Sequence, residues 1–106
     1  MARLTDVEIE QRLAGAEHWQ RGEGSSPSGD DAIVRDLKLA DFGAAIALVD
    51  RVAVLAETAN HHPDILVHGW NRVRLTLSTH SEGGLTDADF ALAAKIDRAV
   101  ESSAAS

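Results

Sequence analysis

Residues 57–71, ETANHHPDILVHGWN, place two adjacent histidines directly before a proline. A neutral imidazole can donate a hydrogen bond from one ring nitrogen and accept one at the other near pH 7, so histidines suit proton transfer. His61 follows the carboxylate of Glu57 by four residues, and Pro63 disfavours a helical conformation for His62. The sequence therefore predicts that both imidazoles project from the end of a helix, where polar side chains can reach a cleft.

A third histidine, His80, closes an alternating segment shortly before the glycines of a turn. The ends of strands and helices collect at the rim of a rigid scaffold, where functional side chains concentrate. Several imidazoles around one substrate could supply both an acid and a base. His18 and His68 lie where a single histidine is usually solvated, so we assign them no role.

A metal site is the alternative interpretation of the same residues. Zinc accepts nitrogen and oxygen ligands, which His61, His62, His80 and Glu57 could provide. Adjacent residues rarely bind one ion, however, and the chain has no histidine pair at i, i+4 on a predicted helix. The pattern therefore favours acid–base chemistry over metal binding, while a chance turn at His61 and His62 stays an open alternative.

A long helix must position the paired histidines. Asp41 has the side chain and the location of a helix N-cap, and the sequence predicts a helix from there to about Ala59. Apolar residues cover most of its circumference, whereas a helix on the surface of a monomer needs only one apolar stripe. We therefore predict a homo-oligomer, with Leu48 and Leu55 as candidates for the stripe that faces a second subunit.

Two alternating segments predict strands that flank this helix in sequence. Residues 72–80, RVRLTLSTH, would turn one apolar face toward a core. Residues 32–39, AIVRDLKL, alternate in the same way but carry one charge, Arg35, on the apolar face. We interpret Arg35 as a side chain that extends its guanidinium toward water at a sheet edge.

Helices are also predicted near both ends of the chain. Thr5 and Glu8 have the spacing of a capping box, and that helix is expected to end near His18. Thr86 has the position of an N-cap for the last helix, with Asp89 three residues later. Asp89 therefore has a structural explanation as the partner of Thr86, independent of any role in chemistry.

These elements predict one α+β domain over residues 1–106, in the order α-β-β-α-β-β-α. Four antiparallel strands would form a sheet with the helices packed on one face. Residues 21–31 are rich in Gly, Ser and Pro and are expected to form a mobile loop, and residues 101–106 a frayed tail.

Composition and charge restrict the class of protein. Ten Lys+Arg against 17 Asp+Glu give a net charge of -7, which argues against nucleic acid and anionic membranes as partners. The chain has no cysteine, so it can form no disulfide, thiolate zinc site or thiol nucleophile. It shows neither a signal peptide nor an apolar run long enough to span a bilayer, so we expect a soluble cytoplasmic protein.

The segments ETANHHPD, WNRV, LSTH and GGLTDAD together resemble the pterin-4a-carbinolamine dehydratase family, also called 4a-hydroxytetrahydrobiopterin dehydratases. The resemblance covers roughly residues 19–97. The family has phenylalanines where this chain has Leu37, Leu39 and Ile46, and tyrosine is common at the position of Trp70. The residues that meet the family pattern at its expected spacing are Glu57, His61, His62, Pro63, Trp70, His80 and Asp89.

The resemblance implies a lyase that dehydrates the 4a-carbinolamine of tetrahydropterin to the quinonoid dihydropterin without a cofactor or metal. His61 and His80 would be the acid–base pair, and His62 would orient the pterin. Glu57 would hold or polarise His61, and Trp70 would pack against the ring system. The resemblance also places four other residues in the substrate-binding set, namely Asn60, Pro63, Thr79 and Asp89.

The resemblance also implies a homodimer or homotetramer, in agreement with the apolar helix, and it implies further partners and alternatives. A dehydratase of this kind would recycle tetrahydropterin for an aromatic amino acid hydroxylase. Animal relatives also serve as dimerisation cofactors for a homeodomain transcription factor, and some bacterial relatives look like Rubisco assembly chaperones that lack the active-site set. This chain retains Glu57, His61, His62 and His80, which favours an enzyme over a purely binding protein.

Overall fold

A computed structural model describes residues 2–22 and 31–104. Residues 23–30, which make up most of the predicted loop, and residues 105–106 of the predicted tail lie outside the described residues. The order of elements confirms the predicted α+β fold. In sequence order they are α1 (Asp6–Ala14), β1 (Gln20–Arg21), β2 (Ile33–Lys38), α2 (Phe42–Ala59), β3 (Asp64–His68), β4 (Arg72–Leu77), a 3-10 turn (His80–Glu82) and α3 (Asp87–Ala104).

The strands of the described ranges form a four-stranded antiparallel sheet in the order β1-β2-β4-β3. Because side chains alternate along a strand, each strand has an inner and an outer face. The inner faces of β2 and β4 pair Ile33 with Leu77, and Leu37 with Val73. These side chains pack under the helices in one hydrophobic core, to which Ile9, Leu48 and Ile96 contribute from α1, α2 and α3. The outer face of the sheet carries no helix among the described residues.

Arg35 lies on the inner face, and its interpretation as a solvated side chain at a sheet edge is wrong. β2 is an interior strand between β1 and β4, and Arg35 is only 9% exposed. Its guanidinium forms an ion pair with Asp97 of α3. The indole Nε1 of Trp19 donates a hydrogen bond of 2.8 Å to the same carboxylate oxygen. A charge can occupy this core because a helix brings it a counter-ion.

α1 begins with the predicted capping box, but it ends earlier in the sequence than predicted. The backbone N–H of Glu8 donates to the Thr5 hydroxyl at 3.2 Å, and the Thr5 N–H donates to the Glu8 carboxylate at 2.9 Å. These hydrogen bonds hold the pKa of Glu8 below its usual value. The helix ends at Ala14 and not near His18, because Gly15 has poor helix propensity and follows at once.

α2 begins and ends where the sequence predicts. Asp41 accepts a hydrogen bond of 2.7 Å from the backbone N–H of Ala44, as an N-cap does. The prediction that Leu48 faces a second subunit is wrong, because Leu48 is 1% exposed and packs in the core of its own chain. Leu55 is half-buried against that core. The outward apolar side chains of α2 are instead Phe42, Ile46 and Val54.

The predicted homo-oligomer can be tested by substitution on the exposed apolar side of α2. Val54 is 66% exposed and lines an apolar groove with Leu55 of α2 and Ala99 of α3. We expect sedimentation to show an oligomer, and Val54→Glu to shift it toward monomer because a carboxylate would be buried in the interface. Val7→Glu is the matched control, since Val7 on α1 is 67% exposed. A monomeric wild-type protein at micromolar concentration would contradict the prediction.

No helix in the described ranges combines the length and the apolarity that crossing a bilayer requires.

Candidate active site

The C-terminal end of α2 fixes the directions of the paired histidines. Asn60 adopts the left-handed conformation, with φ 50° and ψ 43°. Its N–H donates to the carbonyl of Glu57 at 3.2 Å, and the N–H of His61 donates to the carbonyl of Ala56 at 3.1 Å. These are the two hydrogen bonds of a Schellman motif, in which asparagine sometimes replaces glycine. After this turn the side chain of His61 is 15% exposed, whereas that of His62 is 56% exposed.

Asp89 is the centre of a buried hydrogen-bond network. Its side chain has no exposed surface, and its Oδ2 accepts from the backbone N–H of Thr86 at 2.9 Å and from the hydroxyl of Thr79 at 2.8 Å. The hydroxyls of Thr79 and Thr86 are 2.9 Å apart. The other oxygen, Oδ1, lies 2.6 Å from Nε2 of His61. Asp89 therefore joins the start of α3, the loop after β4 and the end of α2.

This contact engages one of the two ring nitrogens of His61. We assign the proton of this hydrogen bond to Nε2 of His61, with the carboxylate of Asp89 as the acceptor. Nδ1 is then the ring nitrogen that Asp89 does not hold. A histidine oriented in this way by a buried carboxylate has a fixed ring and a fixed tautomer, as metal-binding and catalytic histidines commonly do.

Glu57 contacts a different histidine from the one expected. Its Oε2 lies 3.3 Å from Nε2 of His62, and both side chains are largely exposed. The resemblance implied that Glu57 holds His61, but in the structure Asp89 has that position. The exposed pair of His62 and Glu57 lies at the outer side of the α2 terminus and contributes little to stability.

His80 adjoins the network through the backbone. It begins the 3-10 turn directly after Thr79, whose N–H donates to the carbonyl of Gly84 at 2.8 Å. Gly83 closes this turn with φ 70°, a conformation that favours glycine. The side chain of His80 is exposed, so it lies at the surface beside the residue that donates to Asp89.

The structure does not bring every predicted site residue together. Pro63 joins His62 to β3, and Asn60 serves as the cap of α2. Trp70 lies in the β3–β4 turn, at the far end of the hairpin from His61. A rise of about 3.3 Å per residue puts roughly 15 Å between that turn and the start of β3. Within one chain, Trp70 therefore lies apart from His61 and His62.

One member of the network, Thr86, was not a predicted site residue. Its spacing from Asp89 was read only as a helix cap, and the structure shows that the same pair also supports the carboxylate at His61. No local signal in the sequence indicated this second role, because His61 lies 28 residues from Asp89. Across residues 2–22 and 31–104, no three His, Cys, Asp or Glu side chains group as ligands for a metal ion.

Comparison with known proteins identifies the family. Residues 2–99 match the family described as Pterin 4 alpha carbinolamine dehydratase. A Chloroflexus aggregans protein named for this dehydratase is 53% identical over 97 residues, which are 92% of this chain and 96% of the relative. A crystal structure titled as a transcriptional coactivator/pterin dehydratase from Brucella melitensis superposes with a TM-score of 0.80 at 36% identity, covering 91% of this chain and 96% of that one.

A second solved structure is more distant. It is titled as a pterin dehydratase-like protein identified as a RuBisCO assembly factor in the alpha-carboxysome, and it matches with a TM-score of 0.59 at 25% identity. The match covers 76% of this chain and 86% of that chain. The family match over nearly the whole length and the relative with 53% identity confirm the resemblance read from the sequence. This chain belongs to the pterin 4 alpha carbinolamine dehydratase family.

Proposed function

We propose that this protein is a hydro-lyase that removes water from the 4a-carbinolamine of tetrahydropterin and releases the quinonoid dihydropterin. The observation that carries the proposal is the contact of 2.6 Å between the buried carboxylate of Asp89 and Nε2 of His61. A buried, hydrogen-bonded carboxylate that fixes one imidazole is an arrangement suited to proton transfer. The family match and the names of the relatives support the substrate class.

The reaction needs one acid and one base. The C4a–O bond breaks and the hydroxyl leaves as water, so it must gain a proton. The N–H bond at N5 breaks, and its electron pair forms the double bond between N5 and C4a. No electrons enter or leave the substrate as a whole. Two histidines of opposite initial protonation state can supply both transfers near neutral pH.

We assign these transfers to His61 and His80. Because Asp89 holds Nε2–H of His61, Nδ1 is the atom of this ring that exchanges a proton with the pterin. The carboxylate holds the ring in one orientation while a proton is exchanged at Nδ1. His80 follows Thr79 of the same network and is exposed, so it can act from another side of the substrate.

The remaining residues bind and orient the pterin. His62, held loosely by Glu57, lies at the exposed rim and is assigned to substrate orientation. Asn60 and Pro63 form the turn that carries both histidines. The hydroxyl of Thr79 donates a hydrogen bond to Asp89. Trp70 is left out of this set because one chain does not bring it near His61.

The test is the rate of dehydration of carbinolamine generated in situ, measured on chelator-treated protein. We expect acceleration over the uncatalysed reaction with no added ion or cofactor, because the proposed proton transfers use side chains only. Protein with an intact fold but no acceleration would overturn the proposal. Activity that a chelator abolishes and zinc restores would favour the alternative metal interpretation of His61, His62 and His80.

A binding role is the second candidate function. The likeness to the RuBisCO assembly factor favours this role, in which the histidines would have no catalytic function. The presence of Glu57, His61, His62 and His80 in this chain supports catalysis instead. A cytoplasmic location and a link to an aromatic amino acid hydroxylase stay predictions that follow from the proposed reaction.

A further inference from the structure

The outer face of the sheet carries a row of three basic side chains. In the strand register Arg72 of β4 lies directly between Lys38 of β2 and His68 of β3. All three residues are exposed. Neighbouring strands are about 4.8 Å apart, so this basic row spans roughly 10 Å. Within the part of the chain that the structure describes, neither Lys38 nor Arg72 has an ion-pair partner.

This arrangement has a cost in stability, since like charges directly opposite each other on a sheet are unfavourable. The chain has a net charge of -7, so an excess of basic residues does not explain the row. The nearest acidic side chain of β2, Asp36, is engaged by Arg74 through hydrogen bonds of 2.7 and 3.0 Å. That bidentate pair engages Asp36, whose charge also acts on His68, and it leaves Lys38 and Arg72 without an ion-pair partner in the described ranges.

An exposed and strained tryptophan borders the row. Trp70 follows Gly69 in the β3–β4 turn, has φ 60° and is 63% exposed. A bulky residue in the left-handed region is a rare outlier, and such conformations concentrate at functional sites. Its indole lines a cleft of about 390 Å³ together with all three residues of the basic row. A second cleft of about 310 Å³ shares the same three residues.

We propose that the basic row and Trp70 form a docking surface for an acidic segment of a partner protein. The segment would place carboxylates along the row, where they relieve the repulsion between its cations, and an apolar or aromatic side chain against the indole. A surface needs both cations and an exposed aromatic side chain to form these two interactions together. The proposal concerns the outer sheet face and does not depend on the dehydratase site.

The shape and the surroundings of the surface favour this occupant over others. The two clefts are open to the sheet face, whereas small-molecule sites are usually deep and enclose most of the ligand. A nucleic acid would bring a continuous row of phosphates past Asp36 and Asp64, which lie on the same face, toward a protein of net charge -7. A short acidic peptide can match a row of about 10 Å without meeting those carboxylates.

The experiment uses fluorescence anisotropy with a labelled peptide of glutamates around a central phenylalanine, at a salt concentration of about 0.15 M. We expect saturable binding to the full-length protein and none to the same peptide with glutamines. Lys38→Glu with Arg72→Glu should weaken binding about tenfold or more, since both attractions become repulsions. The milder double variant Lys38→Gln with Arg72→Gln should weaken peptide binding less. This variant replaces the first one in the test if the first one does not fold.

The matched control is Lys95→Glu with Arg98→Glu, two exposed positions of α3 with the same change in net charge. It should leave the peptide Kd within about twofold, because the interaction is local at this salt concentration. No binding of the glutamate peptide, or equal weakening by the control pair, would overturn the proposal. Tighter binding of a thymidine oligonucleotide, or a changed sedimentation coefficient in the row variant, would instead assign the face to nucleic acid or to a second copy. Dehydratase activity and thermal melting report separately on the active site and the fold.

Discussion

His80→Ala is expected to lower the dehydration rate by about 10²–10⁴-fold, the range for loss of a positioned general acid or base. The fold should survive, because the imidazole is exposed on a 3-10 turn and removing it opens no core volume. The measurements are dehydration kinetics and a thermal melt of the same preparation. Full activity in His80→Ala, or loss of activity only through unfolding, would show that the assignment is wrong.

Companion variants separate the proposed roles. His61→Ala should lose activity to a similar degree, because it removes the ring that Asp89 orients. His62→Ala should mainly raise KM, as expected for a residue that binds the substrate without exchanging a proton with it. His18→Ala is the control and should change neither parameter, since His18 is exposed in the segment between α1 and β1.

Asp97→Ala is expected to destabilise the protein by about 3 kcal/mol, the lower end of the range for breaking a buried ion pair. The side chain of Arg35 is 10% exposed, so the variant leaves its guanidinium buried without a counter-ion. Trp19 loses its hydrogen-bond acceptor as well. The lower end applies because the Asp97 side chain is 19% exposed and water can partly replace it. Urea unfolding measures the change in free energy.

Two variants test the cause of that loss. Asp36→Ala breaks the exposed pair with Arg74 and should cost about 0–1 kcal/mol, as surface ion pairs do. Arg35→Met combined with Asp97→Leu should recover much of the lost stability, because an apolar pair of similar volume leaves no uncompensated charge. If Asp97→Ala and Asp36→Ala were equally mild, the buried pair would have no special role in the fold.

Local signals were enough to predict most of the fold. Capping side chains at Thr5 and Asp41, together with the alternation in β2 and β4, predicted elements that depend on residues near in sequence. The corner that carries His61 and His62 was also predictable, because proline restricts the residue before it. The family resemblance then correctly predicted which family the chain belongs to.

Apart from the early end of α1 at Gly15, the errors concern contacts between residues distant in sequence. The partner of Arg35 is 62 residues away on α3, so no local pattern distinguishes a buried charge from a solvated one at this position. Leu48 and Leu55 share one side of α2, but their spacing cannot tell which side meets the chain's own sheet. The contact of Asp89 with His61 likewise spans 28 residues and depends on how α2 and α3 meet.

The most direct test of the proposed chemistry is the dehydration rate of the double variant His61→Ala with His80→Ala, compared with wild type in the presence of chelator. If these two imidazoles are the acid and the base, the double variant reaches the uncatalysed rate while its melting transition stays cooperative. A folded double variant that still dehydrates the carbinolamine at the wild-type rate would contradict the proposed mechanism.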